Sequence, residues 1–199
     1  MTVKPIPFTG PMVLALLAGR KTMTRRVLKP QPASEDLASE LLEDYELRGW
    51  ECFPDGDAFA VVKRLPYAPG DLLWCRETWC HGLAELGQLP AYYRADGEDD
   101  CTRWRPSIHM PRWASRLTLR VTDVRVQRVQ EISEGDAIAE GACRYPMVQS
   151  ARLDFRKLWN SINAKRPGCA WADNPWVAVI GFDVIRENID AVLAREKGT

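Results

Sequence analysis

The sequence is poor in histidine, with two in 199 residues, and it has neither net charge nor a long apolar run. Each lack excludes something. Lysine plus arginine (27) balances aspartate plus glutamate (27), so no global field draws the chain onto nucleic acid or a membrane surface. Any electrostatic footprint has to be local. No apolar stretch is long enough to span a bilayer, and Met1-Thr2-Val3-Lys4-Pro5 has no signal-peptide core. The expectation is a cytosolic protein with no membrane partner. The cysteines at 52, 75, 80, 101, 143 and 169 form no paired framework, and in a cytosolic chain they are expected as reduced, mostly buried thiols. Cys75, Cys80, His81 and Cys101 could be arranged around zinc. However, no C-x-x-C knuckle is present, and Cys75 and Cys80 on one strand would point to opposite faces, so no metal is expected. His109 has no partner in the pattern and is assigned no chemistry. Internal repeats and low-complexity linkers are absent as well.

What is present is concentrated near the N-terminus. Leu17-Ala18-Gly19-Arg20-Lys21-Thr22-Met23-Thr24-Arg25-Arg26 follows the apolar run Met12 to Ala18, which reads as a short buried helix. Thr9 suits its N-cap, Pro11 its first turn and Gly19 the left-handed position that closes it. Thr22 to Leu28 alternates and reads as a strand. Thr22, Thr24 and Arg26 then share one strand face, while Lys21 lies in the turn. A threonine attacks a carbonyl only when a base takes its proton, and a desolvated lysine beside arginines can be that base. The plain alternative is a basic turn whose side chains face water.

The rest of the chain supplies elements and a few further candidates. Lys29 to Pro32 breaks the motif strand. Ser34 to Glu46 reads as an amphipathic helix, and Trp50 to Val62 as a hairpin around Pro54-Asp55-Gly56-Asp57. Leu72 to Trp79 reads as one strand ending in Arg76-Glu77-Thr78-Trp79. A tryptophan beside an Arg–Glu pair suits a cleft that stacks a planar base, or equally an ion pair over a core ring. Pro90 to Ala95, including Tyr93, reads as another strand, and Asp96 to Asp100 as a solvated acidic loop. Trp104 to Trp113 mixes aromatics with arginines and two prolines. It fits a loop that holds a base and its phosphate, or one pinned by Trp104 and Trp113 as core plugs.

Arg116 to Val121 and Asp123 to Val129 read as two strands joined at Thr122-Asp123. Ile132 to Gly141 reads as a helix capped by Ser133, with Asp136 completing a capping-box-like pattern and Ala137 and Ile138 burying one side. Glu140 falls in its last turn, where a carboxylate opposes the helix dipole. That placement hints at a use beyond stability, against the alternative of a surface carboxylate. Glu134, in the first turn, reads as a cap-region charge. Val148 to Asn163 reads as a helix with Leu153, Leu158, Trp159 and Ile162 inward and Phe155 at the flank. Val177 to Ile185 is the last strand, and Glu187 to Thr199 a charged tail, helical through Val192.

The pattern Gly19-x-Lys21-x-x-Thr24-x-Arg26 after a short helix resembles the signature of ASCH domains, members of the PUA-like superfamily of small β-barrels associated with RNA and nucleosides. Leu17 to Arg26 is most similar to the small bacterial N4-acetylcytidine amidohydrolases. Pro5-Ile6-Pro7-Phe8, Gly70 to Trp79 and Asn174-Pro175-Trp176-Val177 also resemble phage and prophage proteins with this domain. The resemblance implies an α+β fold, a PUA-like mixed β-barrel with surrounding helices. It implies one domain over 1–199, with a helix-plus-hairpin insertion at about 30–66 and a tail at about 187–199.

It also implies a function. An N-acyl group would be removed from a cytidine-like nucleoside without metal or organic cofactor. Thr24 would be the nucleophile and Lys21 its base, with Glu140 relaying a proton or orienting the lysine. Backbone N–H groups of the Gly19–Lys21 turn would serve the oxyanion. Arg26, Arg76, Glu77, Trp79, Tyr93, Arg112 and Trp113 would bind substrate, which could be a nucleoside, RNA or a modified nucleic acid. No obligate protein partner is expected. The alternatives are a non-catalytic RNA or modified-nucleotide binder, with Lys21 and Arg26 on phosphate, or an ASCH-type ribonuclease.

Overall fold

Thr9 stands in extended backbone and Pro11 in the first turn of the helix Gly10–Leu17 (α1), where a missing N–H costs nothing. Gly19 closes that helix with φ 69°, a conformation that penalises any residue with a Cβ. The computed structural model describes residues 1–29, 31–32, 65, 67–81, 91–97, 101, 103–142 and 150–198. The expected Ser34 to Glu46 helix and the hairpin at 50–62 lie outside the described residues.

The described strands are Val3–Pro7 (β1), Met23–Val27 (β2), Leu72–Arg76 (β3), Trp79–His81 (β4), Ala91–Tyr93 (β5), Thr118–Arg128 (β6) and Trp176–Ile185 (β7). Five form a mixed sheet in the order β1-β3-β6-β7-β2, and β4 pairs with β5 separately. No closed barrel is found among the described residues. The α+β class holds, while the expected barrel gives way to a mixed sheet. Two expected strands prove to be one: β6 runs straight through Thr122 and Asp123. Both are exposed, and two adjacent polar residues imitate a turn without supplying the Gly or Pro that would make one.

The chain divides into two compact units, the first comprising Met1–Thr22, Pro69–Thr122 and Phe182–Thr199. Here β1 runs parallel to β3, from Val3 opposite Leu72 to Pro7 opposite Arg76. Both prolines of β1 are tolerated because it is the edge strand. The expected strand Leu72 to Trp79 breaks at Glu77-Thr78. Beyond the break, Trp79 exchanges backbone hydrogen bonds with Arg105 (3.2 and 2.8 Å) and faces Tyr93 across the β4–β5 ladder. Cys80 and Cys101 form a disulfide, which corrects the expectation of reduced thiols at those two positions. Cys75 and Cys169 are free and buried. Cys52 and Cys143 lie outside the described residues. The expected charged tail, read as helical through Val192, is a docked helix that runs on to Lys197, Ile189–Lys197 (α4), with Ile189 and Val192 buried against Leu72 and Trp74.

The second unit comprises Met23–Ala68 and Asp123–Gly181. In it β2 lies antiparallel to β7, with Thr24 opposite Ile180 and Arg25 opposite Val179. The face bearing Met23, Val27, Val177 and Val179 packs on two helices, Glu134–Ala139 (α2) and Ala151–Asn163 (α3). The inward stripe of α3 is Ala151, Phe155, Trp159 and Asn163, which keeps only Trp159 of the stripe expected. Leu153 and Ile162 are half-exposed. Two rings bury more area than two aliphatic chains, and Trp159 Nε1 gains the Cys169 carbonyl at 2.9 Å. Ile138 is likewise exposed rather than buried, whereas Ala137 is fully buried.

Candidate functional site

In the first unit Lys21 is 1% exposed, with Nζ 5.6 Å from the centre of the Phe8 ring. Phe8 N–H bonds the Arg76 carbonyl (2.9 Å), so Lys21 lies near the C-terminal end of β3, where Arg76 and Glu77 stand. The Arg76 guanidinium stacks on Trp74 at 4.5 Å and donates to the Ile108 carbonyl at 3.4 Å. The turn before Lys21 does not offer an oxyanion hole. Gly19 N–H bonds the Leu16 carbonyl, and Arg20 and Lys21 N–H both bond that of Ala15. All three donors are spent on closing α1, which corrects the sequence expectation.

Glu77, also buried, is gripped by Arg116 through both oxygens at 2.9 and 3.0 Å. Arg116 bonds Asp96 in the same forked manner at 2.7 and 3.0 Å and lies over the Tyr93 ring at 3.9 Å. Burial pushes the Glu77 carboxyl above its ordinary range, against the opposing hydrogen bond and charge of Arg116. Tyr93 is raised by burial too, again opposed by Arg116. Beside them, Gly10, Pro11, Leu14, Glu77, Thr78, Arg94 and Ala95 line a cavity of about 340 Å³.

Trp79 is buried rather than available to a ligand, its Nε1 without a hydrogen-bond partner among the described residues. Trp113 meets it edge-on, ring centres 5.7 Å apart. Trp113 is half-exposed, so it is no core plug. Met110, 1% exposed, fills that role, its sulfur 3.2 Å from Glu77 N. Arg112 pairs with Asp190 at 2.6 Å.

In the second unit Thr24 and Glu140 are both buried, at 4% and 3% exposure. The surface-carboxylate reading of Glu140 therefore does not hold. Glu140 is the C-cap of α2, and its Oε1 accepts from Arg25 Nη1 at 3.1 Å. The other arm of Arg25 reaches Asp136 Oδ2 at 2.6 Å, an oxygen that also accepts from Arg125 Nη2 at 2.6 Å. Alternation along β2 puts Arg25 on the face of Met23 and Val27, and Thr24 and Arg26 on the opposite one. Arg26 is half-buried, and its charge opposes the upward push of burial on the Tyr67 hydroxyl. Glu134 keeps its cap-region role but serves the next helix, accepting from Ser150 Oγ at 2.6 Å, which holds its carboxyl below the ordinary range.

Sequence reasoning set Arg25 beside Lys21 and missed its carboxylate partner Asp136, as it missed Arg116 and Asp96 as site-shaping residues. The signal for the Arg25–Asp136 pair was available. Asp136 and Glu140 are four residues apart, hence neighbours on one helix face, and a double arginine in a strand must send one guanidinium to each face.

No family model matches this chain, and no curated protein does. Among solved structures, the crystal structure of protein EF3133 from Enterococcus faecalis V583, described as family-model DUF984, matches with a TM-score of 0.43 and 13% identity. That match covers 95% of this chain and 83% of that one. A likeness this distant carries no argument, so the ASCH resemblance rests on the residues that bear it and enters below only as a proposal.

Proposed function

We propose that the chain is an amidohydrolase acting on an N-acylated, cytidine-like base, with Lys21, Thr24 and Glu140 as its working groups. The observation that carries the reading is the burial of the motif lysine, Lys21 being 1% exposed with Nζ 5.6 Å from the Phe8 ring. Glu140 pairs at 3.1 Å with Arg25 on the face of β2 opposite Thr24. A carboxylate chosen for its place at a helix end is thus tied to the motif strand from 115 residues away. Lys21, Thr24 and Glu140 are all withdrawn from water, where surface chemistry alone would leave a lysine and a glutamate solvated.

In this reading Thr24 Oγ forms a bond to the acyl carbonyl carbon and its proton passes to Lys21 Nζ. The carbon–nitrogen bond to the base then breaks, and the amino nitrogen leaves with the proton that Lys21 took from Thr24, while Glu140, bound to Arg25 on the other face of β2, positions the motif strand. Water frees the acyl group from Thr24, and no cofactor enters any of these steps. The test is release of cytidine from N4-acetylcytidine by wild type, Thr24→Ala and Lys21→Ala. Either substitution should cost roughly a thousandfold or more in kcat, with the fold checked by circular dichroism. A folded wild type that releases no cytidine sinks the reading.

A further inference from the structure

In the first unit one guanidinium serves two carboxylates. Arg116 forks onto Glu77 and again onto Asp96, so the trio carries a surplus negative charge. Asp96 is partly hydrated, its side chain 34% exposed. Glu77, at 2%, is not. A carboxylate offers about four lone-pair positions, and Arg116 takes two of those on Glu77. The charge left over therefore rests on a group that water does not reach.

Glu77 borders the cavity of about 340 Å³, with Pro11 and Leu14 of α1 on one side and Thr78 and Arg94 on others. The walls are tied together. A Cβ placed on Gly10, the first residue of α1, would lie 3.8 Å from Ala95 Cα. The Arg94 backbone N–H donates to the Thr78 carbonyl at 3.0 Å. Among the described residues no carboxylate pairs with the Arg94 guanidinium, which is exposed. Leu14, 45% exposed, offers aliphatic surface to the same space. The lining thus combines a buried acceptor in charge excess, an unpaired cation and an aliphatic wall. It holds no aromatic ring, so a nucleobase finds nothing there to stack on.

We propose that this cavity binds a free aliphatic amino acid: its ammonium donates to Glu77, its carboxylate accepts from Arg94, and its side chain lies on Pro11 and Leu14. The bound ammonium brings the Glu77–Arg116–Asp96 group to neutrality, which no rearrangement within the trio can do. Burial, which already raises the Glu77 carboxyl, favours a cation that arrives with the ligand. The volume is of the size that small molecules occupy. The inference goes beyond the amidohydrolase reading, since Glu77 then serves a ligand other than the nucleoside. It is scored by binding without N4-acetylcytidine, so either can fail while the other stands.

The experiment is isothermal titration calorimetry of the full chain with L-alanine, L-valine, L-leucine and L-isoleucine. At least one should bind. The amino alcohol of the tightest binder, which lacks the carboxylate, and its deaminated acid, which lacks the ammonium, should each bind roughly tenfold or more weakly. Arg94→Ala, at an exposed position, should weaken the amino acid about tenfold and leave the amino alcohol unchanged, because only the carboxylate meets that side chain. Glu77→Gln, with its fold checked by circular dichroism, should abolish binding of both. No binding of any of the four by folded wild type would overturn the proposal. So would an amino alcohol as tight as its amino acid, or an Arg94→Ala protein that binds the amino acid as wild type does.

Discussion

Arg25 holds two carboxylates at once, Glu140 at 3.1 Å and Asp136 at 2.6 Å, from a side chain with no exposed surface. The planar fork suits this, with one arm for each carboxylate. Arg125 completes the set by sharing Asp136, so the four charges cancel. Burial raises the Asp136 carboxyl, but the hydrogen bonds and charges of Arg25 and Arg125 outweigh it and hold the group below its ordinary range. A carboxyl lowered on folding adds stability that is present above its unfolded value and lost as pH falls through the folded one. Asp136→Asn should therefore cost about 2 kcal/mol near neutrality, and the gap from wild type should close as urea titrations move into acid. A gap that stays constant to low pH would contradict the assignment. Glu77 has the opposite sign. Raised by burial, it is least costly to the fold when protonated, and its penalty grows as pH climbs through its folded value.

At the scale of elements, much was legible where local chemistry decides. Thr9, Pro11 and Gly19 bounded α1, and Ser133 caps α2 by accepting from Asp136 N. β2 and β7 fall where alternation and apolar runs put them. What was hidden is what tertiary partners decide. Leu72 to Trp79 is unbroken as a pattern, and it divides because Trp79 finds backbone partners in Arg105 and Tyr93. The tail after Glu187 reads as charged. Its apolar Ile189 and Val192 become a stripe only once Leu72 and Trp74 are there to meet them. Of the candidate binding residues, the Arg76–Glu77 corner and the Trp113 turn were visible as composition, but Arg116 as the clamp on Glu77 was not. The same limit hid the Cys80–Cys101 bond, whose partners are 21 residues apart. Closing a loop of that length should stabilise the fold by about 3 kcal/mol. Thermal melts with and without a dithiol reductant, beside Cys101→Ser, measure it. Identical melts for all three would mean that the two thiols are not joined in the folded protein.

At the scale of the whole molecule, balanced charge has a measurable cost. With an isoelectric point near 6.7, repulsion between copies vanishes close to neutrality, and solubility should pass through a minimum there and rise on either side. Precipitation assays across a pH series check this, and a flat profile would show that local patches, not net charge, govern contact between copies. The two compact units are woven from the same thread. The chain passes between them after Thr22, Ala68, Thr122 and Gly181, and both β6 and β7 are spun partly in each. A gene cut within 23–181 therefore splits both units, and a cut outside that span leaves the second unit still joined to most of the first. Recombination cannot trade one unit as a cassette while keeping the other, so the Lys21 half of the motif and the Thr24 half are inherited, expressed and lost together.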